Sequence, residues 1–367
     1  MLPSSNDINN SILDVARCWI ENQSKLQSFA NKIRNSQIKN KDFLEEKLIQ
    51  KINACAVDGS FCAVDGSIAC EELHGLDVAL YRSVATCFVY ENSNLKSVKY
   101  FPNTHPPLEV RANSLSSQFE KMRFISLVRL KSELDCALNS VQKFSANYLL
   151  LDGSIAPLMD DKPANDSILT PIYEELIEVY KNLYSTCISK NCTLIGITKD
   201  SRSSKFYDLI SDSLEQNTQN REQNKSSEHL APLKTCSDTV FLDHLLEKNE
   251  RTCAFRSSNT GQKNQVFNDL GDFSSNIVSF YIKPVEHDRP LRVEFLSSSQ
   301  SFSQIANLLC ILCSLNEHYA YPAILIEADL RVALDPNEVD QALNDLSSRI
   351  GLKQPILKLR RNNRPFR

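Results

Sequence analysis

The sequence NYLLLDGSIAPL, at residues 147–158, carries the clearest structural signal in the chain. Its first half is a short, continuous apolar run that ends in Asp152-Gly153-Ser154, a pattern typical of a strand buried on both faces of a sheet. On either side of it, helix-like and strand-like segments alternate: Ser114–Phe144 (helix), Tyr148–Leu151 (strand), about Thr170–Asn191 (helix) and Thr193–Thr198 (strand). This alternation predicts an α/β fold.

The chain has 367 residues, 42% of them hydrophobic, which is enough for a large buried core. We expect one large α/β domain with an inserted segment, because residues 213–237 are dominated by Gln, Asn, Ser, Glu and Lys and are predicted to be disordered. The predicted parts are an N-terminal helical region (1–50), the first part of the core (51–212), the insertion (213–237), the second part of the core (238–352) and a basic C-terminal tail (353–367).

The charge balance and the absence of several motifs narrow the function. A formal net charge of -4 argues against a large basic face that grips duplex DNA unaided, but metal-binding carboxylates would lower the charge of a nuclease in the same way. The sequence contains no GxxxxGK[ST] phosphate-binding loop, no signal-peptide pattern and no run of 18 apolar residues. We therefore expect a cytoplasmic protein without a membrane span and without a nucleotide cofactor.

The tripeptide Asp-Gly-Ser occurs three times, beginning at Asp58, Asp65 and Asp152, and uses three of the eight glycines. A single copy could be a turn, since Asp-Gly is favoured in hairpins. Three copies that follow apolar runs favour another interpretation, in which each Asp ends a buried strand and the Gly leaves room for a metal or a phosphate. Two such aspartates on neighbouring strands can share divalent cations, as two-metal phosphodiester cleavage requires, and oxygen ligands suit Mn²⁺ or Mg²⁺.

These motifs belong to a series of blocks that resembles the NurA nuclease family over most of the chain. In order, the blocks are FCAVDGSIACEELHGLDVALYRSVA (61–85), RLKSELDCAL (129–138) leading into NYLLLDGSIAPL (147–158), LIGITKDSRSSKF (194–206), IKPVEHDRPLRVEFL (282–296) and YAYPAILIEADLRVAL (319–334). The resemblance implies an RNase H-like core, in which helices flank a mixed sheet.

The resemblance also implies a set of metal ligands. Asp65 and Asp152 match the two family aspartates, which makes them both metal ligands and catalytic residues. Asp58 is retained as the alternative to Asp65, although the spacing of Asp65 to the next strand fits the family better; Asp58 is otherwise a duplication or a turn. A helix glutamate upstream of the second aspartate completes the cluster in the family, and Glu133 is the candidate, ahead of Asp135. The alternative for Glu133 is a surface position on its helix.

One ligand departs from the family pattern. Asp329 stands where the family commonly has a His in the helix after the Tyr-x-Tyr-Pro block. An Asp can bind a hard cation as a His can, but it cannot act as a neutral imidazole base at pH 7. The departure therefore leaves metal binding possible and changes the details of the mechanism.

Basic residues supply the expected contacts to DNA. Lys199 and Arg202 lie just beyond the predicted strand Thr193–Thr198, where they could touch the scissile phosphate or the DNA backbone, and Lys199 is a candidate catalytic residue. The alternative is a pair of solvated loop charges. Arg360 and Arg361 belong to the basic tail, which is either solvated or in contact with phosphate.

The resemblance finally implies an activity and partners. NurA-like proteins would act as homodimers beside HerA, a hexameric DNA-translocating ATPase, in the resection of double-strand breaks. The implied activity is 5′-to-3′ exonuclease cleavage of single- and double-stranded DNA, with endonuclease cleavage of single strands and Mn²⁺ favoured. Two alternatives remain: an inactive subunit that docks onto a DNA translocase, and an actin-like or sugar-kinase-like ATPase, which would need further Gly-rich loops that this sequence lacks.

Overall fold

The computed structural model describes residues 5–219, 236–257, 265–297, 300–351 and 359. Within these ranges the strands are β1 (Ile49–Lys51), β2 (Gly59–Leu73), β3 (Leu76–Glu91), β4 (Asn94–Phe101), β5 (Glu109–Asn113), β6 (Tyr148–Asp152), β7 (Thr193–Thr198), β8 (Glu250–Thr252), β9 (Phe255–Arg256), β10 (Ile277–Lys283) and β11 (Leu291–Leu296). The helices are α1 (Ser5–Ile33), α2 (Gln118–Phe144), α3 (Thr170–Ser189), α4 (Lys205–Gln219), α5 (Asp238–Leu245), α6 (Gln265–Asp269), α7 (Phe302–Cys313), α8 (Ala323–Val332) and α9 (Pro336–Ile350).

The strands form one mixed sheet in the order β1-β8-β10-β11-β7-β6-β2-β3-β4, with β5 beside β3 and β9 beside β10. Strands β2, β3 and β4 form an antiparallel meander, and β6 and β7 add parallel to β2 on its other side. Strand β11 then joins antiparallel to β7. An antiparallel meander followed by two parallel strands is the RNase H-like arrangement, so the predicted fold class is confirmed.

Strand β6 is buried on both faces, as its continuous apolar sequence predicted. Leu149 and Leu151 belong to the cluster that packs under α2 and α3, whereas Leu150 belongs to the cluster on the opposite face, under α7 and α8. A strand between two helical layers gains from apolar residues at every position, because neither face meets water. The core therefore fixes the position of Asp152, which comes at the end of this strand.

Strand β2 differs from the sequence-based expectation, because it does not end at Asp65. It continues through Gly66 and Ser67 as far as Leu73, and the hairpin turn falls at Gly75, whose φ of +84° suits a glycine. The physical reason is that β3 pairs with β2 along its whole length, whereas β6 pairs with it only as far as Val64. Asp65 therefore marks the end of the parallel pairing and not the end of the strand.

The N-terminal region also differs from the expectation that residues 1–50 are helical. Helix α1 ends at Ile33, and residues 34–48 contain no helix. Phe43 forms a bridge with Phe255, and Leu48 is buried in the same cluster, so the apolar residues of this segment pack onto the sheet singly and do not continue the face of α1.

The boundary of the predicted insertion shifts as well. Helix α4 extends to Gln219, so residues 213–219, which were expected to be disordered, are helical, while residues 220–235 lie outside the described ranges. Of the predicted basic tail, the structure describes residue 359 alone. No helix in the described part of the chain is both long and apolar enough to cross a membrane.

Candidate metal centre

Asp65 and Asp152 come together at one edge of the sheet. Val64 of β2 pairs with Leu151 of β6 in parallel register, so the two aspartates occupy the next position on adjacent strands, which are about 4.8 Å apart. Asp65 is buried, at 5% exposure, whereas Asp152 is partly exposed. Burial, reinforced by the charge of Asp152, raises the pKa of Asp65 to about 7. The two predicted ligands therefore share one acidic site.

Glu133 reaches the same site from helix α2, which packs across β2 and β3. Its side chain is buried and lies against Gly66, where an added Cβ would stand 2.7 Å from Cγ and 2.9 Å from Oε1 of the glutamate. Burial raises the pKa of Glu133 to about 8; nearby Arg129 opposes the shift, and the two aspartates add to it. The alternative of a surface position for Glu133 is thus wrong.

Two side chains hold Asp152 in its present position. The Lys199 ammonium lies 3.0 Å from its Oδ2, and the Tyr321 hydroxyl donates to its Oδ1 at 2.7 Å. The Lys199 Nζ atom also lies 4.1 Å from the centre of the Tyr321 ring, an arrangement that favours the cation. Asp152 is therefore oriented by one positive charge and one hydroxyl.

Arg129 pairs with Glu133 as Lys199 pairs with Asp152. Its Nη1 lies 2.7 Å from Oε1 of Glu133, one helical turn away, and Asp65 and Asp152 help to raise the pKa of its guanidinium. The sequence carries a signal for this ion pair that the prediction missed, since Arg129 precedes Glu133 by four residues on a predicted helix. Tyr321 was also missed, because 169 residues separate it from Asp152.

Two glycines shape the backbone that carries Asp152. Gly153 has a φ of +119°, which strongly favours glycine, and a Cβ on Gly196 would stand 2.5 Å from the Gly153 carbonyl oxygen. The residues that follow are fixed by Glu294, whose Oε2 accepts from the backbone N–H of Ile155 at 3.2 Å and whose Oε1 pairs with Arg292 at 2.6 Å. The turn after β6 is thus packed tightly against β7 and β11.

Asp58 lies away from this site. It lies directly before β2 and precedes Asp65 by seven residues, which corresponds to about 23 Å of extended chain, and its carboxylate accepts from the backbone N–H of Asn92 in the turn between β3 and β4. The structure therefore ties Asp58 to the turn between β3 and β4 and does not bring it to the site of Asp65 and Asp152.

The remaining candidates occupy different places. Asp329 is exposed on α8, whose buried residue Ala328 packs on β3, and its charge helps to raise the pKa of Asp65. Arg202 is exposed in the segment after β7. Arg360 and Arg361 lie outside the described residues.

The donor set fits a hard divalent cation. Asp65, Glu133 and Asp152 offer only oxygen atoms, as Mg²⁺ and Mn²⁺ prefer, and the nearby charge of Asp152 helps to raise the pKa of both Asp65 and Glu133. Among the described residues no three acidic, His or Cys side chains are already arranged as a metal-binding group. Two of the carboxylates are instead paired with cations, Glu133 with Arg129 and Asp152 with Lys199.

The fold and the site together define the class of this protein. It has an RNase H-like sheet, two aspartates on adjacent parallel strands and a glutamate from the covering helix. Within that class, the model of the NurA domain family matches residues 59–334, and the chain belongs to this family. The NurA nuclease from Sulfolobus solfataricus shares its fold, with 16% identity, a TM-score of 0.57 and 94% of each chain covered. A structure of NurA with manganese is 12% identical, with a TM-score of 0.51 and coverage of 93% of this chain and 98% of that chain. No curated protein matches.

Proposed function

We propose that this protein is a metal-dependent DNA nuclease that hydrolyses phosphodiester bonds. The observation that carries the proposal is the convergence of Asp65, Asp152 and Glu133 at the edge of an RNase H-like sheet. Membership of the NurA domain family and likeness to a NurA structure with manganese support the proposal and favour Mn²⁺ over Mg²⁺.

Asp65, Asp152 and Glu133 would hold the metal, with the charge of Asp329 nearby. A divalent ion bound there would stabilise negative charge on the phosphate and lower the pKa of a bound water. Asp329 adds negative charge but no imidazole, so this position supplies no neutral nitrogen base.

The other residues of the site orient a proposed ligand or would offer positive charge to the phosphate. Tyr321 keeps Asp152 aligned through its hydrogen bond. Lys199, one residue beyond β7, carries a positive charge at the rim of the site, where it would stabilise the charge that develops on the phosphate. Arg202 lies further along the same exposed segment and would contact the DNA backbone.

Incubation of end-labelled linear DNA with Mn²⁺, with Mg²⁺ and with EDTA tests this function. We expect cleavage with Mn²⁺, weaker cleavage with Mg²⁺ and none with EDTA. An absence of cleavage under all three conditions would favour the inactive docking subunit, and ATP hydrolysis without DNA cleavage would favour the ATPase alternative.

The finer activity rests on family membership. We propose 5′-to-3′ exonuclease cleavage of single- and double-stranded DNA, endonuclease cleavage of single strands, and a role in the resection of double-strand breaks in the cytoplasm. A HerA-type hexameric ATPase would be the partner that feeds DNA to the site, which suits a mildly acidic chain with no phosphate-binding loop. A change in the rate or length of cleavage when such an ATPase and ATP are added would support this pairing.

A homodimer is also part of the proposal, and helix α1 supports it. Its first half exposes an apolar stripe formed by Ile8, Ile12, Val15 and Trp19, at intervals of four, three and four residues. Further along the helix the same face is buried in the body of the protein at Leu26, Ala30 and Ile33. Since a stripe of this spacing pairs well with another helix, we assign the exposed half to the α1 helix of a second copy.

A further inference from the structure

Two loops meet at the sheet edge that carries the acidic site. Residues 284–290 connect β10 to β11, and because β11 is antiparallel to β7, this loop lies beside the residues that follow β7. Arg289 confirms the proximity, with its Nη1 3.3 Å from Oδ1 of Asp200. Residues 314–322, between α7 and α8, include Tyr321, which contacts Asp152.

The two loops are fastened together and present aromatic rings. The backbone N–H of Ala320 donates to Oδ2 of Asp288 at 2.6 Å. The imidazoles of His287 and His318, one from each loop, stack with their centres 5.3 Å apart and their planes within 17°. Both imidazoles are exposed.

A third ring connects this stack to the acidic site. Tyr319 is 46% exposed, and its ring centre lies 6.1 Å from that of Tyr321, whose hydroxyl reaches Asp152. Of the three accessible rings on these two fastened loops, Tyr319 therefore lies next to the residue that orients a proposed metal ligand.

The surroundings indicate which part of a nucleic acid these rings would meet. Asp200 and Glu317 are paired with Arg289 and Lys248, and Glu286 adds an exposed negative charge, so these groups offer a phosphate no net positive charge. Aromatic rings bind single-stranded nucleic acid through the uncharged faces of its bases, whatever their sequence. In a duplex those faces are already stacked on each other, so the chemistry selects unpaired bases.

We propose that His287, His318 and Tyr319 form a stacking surface for the unpaired bases of a DNA strand whose backbone passes the carboxylates. This inference rests on the proposed nuclease function, because it names where the strand lies as it enters that site. The rings are binding residues here, and the carboxylates remain the residues of the cleavage chemistry.

Binding in EDTA tests the surface without any cleavage. The probe is a single-stranded oligonucleotide that contains 2-aminopurine, whose fluorescence falls when the base stacks. We expect the wild type and the Tyr319→Phe variant to quench it, whereas Tyr319→Ala and His318→Ala bind about tenfold more weakly, as expected for the loss of one stacked base. The control variant is His105→Ala, at an exposed loop position after β4. Equal quenching and affinity in all variants would overturn the proposal.

Initial cleavage rates in Mn²⁺ separate stacking from a structural role. The substrates are the same oligonucleotide with its bases and a version with consecutive abasic sites. We expect Tyr319→Ala to slow cleavage of the first and to leave the second unchanged; equal slowing of both would overturn the proposal. If the wild type cleaves neither substrate, the proposed function fails, and the binding experiment in EDTA still decides whether the rings stack with bases.

Discussion

Glu133 fills the space beside Gly66 that a side chain on residue 66 would need: a Cβ there would stand 2.7 Å from Cγ and 2.9 Å from Oε1 of the glutamate. The glycine follows Asp65 directly, and its N–H donates to Oδ1 of that aspartate at 2.7 Å. Gly66 therefore aligns one carboxylate through its backbone and admits the other through its lack of a side chain.

The Gly66→Ala variant should lose activity while remaining folded. The added methyl group must displace Glu133, and a shift of about 1 Å at a catalytic group can cost about a hundredfold in rate. Overpacking should also lower the free energy of unfolding by about 1–3 kcal/mol. Cleavage rates and chemical denaturation would measure both effects, with Ser67→Ala as the neighbouring control. Full activity in Gly66→Ala would show that Glu133 is dispensable or free to move.

Asp65→Asn and Asp152→Asn should each reduce cleavage by about a thousandfold or more, because each removes the charge of a proposed metal ligand. The matched control is Asp58→Asn, in the first Asp-Gly-Ser copy and directly before the strand that carries Asp65, which should retain most activity. Circular dichroism would confirm that each variant is folded. An inactive Asp58→Asn beside an active Asp65→Asn would refute the assignment of the site.

The metal-free protein should lose stability as the pH rises. In the folded protein the pKa is about 7 for Asp65 and about 8 for Glu133, whereas in the unfolded chain the pKa of each group is about 4. Between these limits the folded protein binds more protons than the unfolded chain, so its stability falls with increasing pH. Mn²⁺ binds the deprotonated carboxylates, and its stabilising effect should grow over the same range.

Thermal melting at about pH 5.5, 6.5 and 8, with and without Mn²⁺, would measure this coupling. The Glu133→Gln variant is the control, since its pH dependence in the absence of metal should be flatter. A melting temperature that does not respond to Mn²⁺ at any of the three pH values would count against a metal site.

DNA ends should be the preferred entry point of double-stranded substrates. Linear duplexes labelled at the 5′ or the 3′ end, compared with a closed circular duplex, would test this in Mn²⁺ and in Mg²⁺. We expect release of mononucleotides from the 5′ end and sparing of the closed duplex, because the proposed role in resection begins at a DNA end. Rapid degradation of the closed duplex, or cleavage of RNA alone, would be inconsistent with end resection.

The protein should be a dimer at micromolar concentration, and Trp19→Asp should weaken the dimer. Trp19 lies at 63% exposure in the apolar stripe of α1, where a charge would face the second copy. Light scattering would measure the mass of both proteins, with the exposed Arg17→Ala on the same helix as the control. A monomeric wild type would exclude the proposed role of α1.

The core of the fold and the main carboxylates could be predicted because their signals are local. An apolar run followed by Asp-Gly-Ser is sufficient to predict β6 and Asp152, since both faces of that strand are buried. The same tripeptide misled for β2: the structure places Asp65 beside Asp152, but the strand was expected to end there and does not. Whether Asp-Gly ends a strand depends on the partner strand β3, which supplies hydrogen bonds beyond it.

Contacts between distant segments were beyond sequence reasoning. The hydrogen bond between Tyr321 and Asp152 depends on how α8 is placed over the sheet, which no local pattern determines. Helix α9 was also missed, although it has local signals: Asp335 caps its first turn, and Gly351 ends it with a φ of +76°. Only the folded chain shows that Asp65 lies beside Asp152 and Asp58 does not, since both follow short apolar runs in the sequence.

The continuation of β2 past Asp65 has a consequence for how a substrate can approach. Beyond Asp65, the β2–β3 hairpin extends for eight more residues of β2, about 26 Å of strand, while β6 has already ended at Asp152. The β2–β3 hairpin therefore projects past the carboxylates on one side of the site. We therefore expect a nucleic-acid strand to approach the carboxylates from the opposite side of the sheet, where β7 and β11 lie.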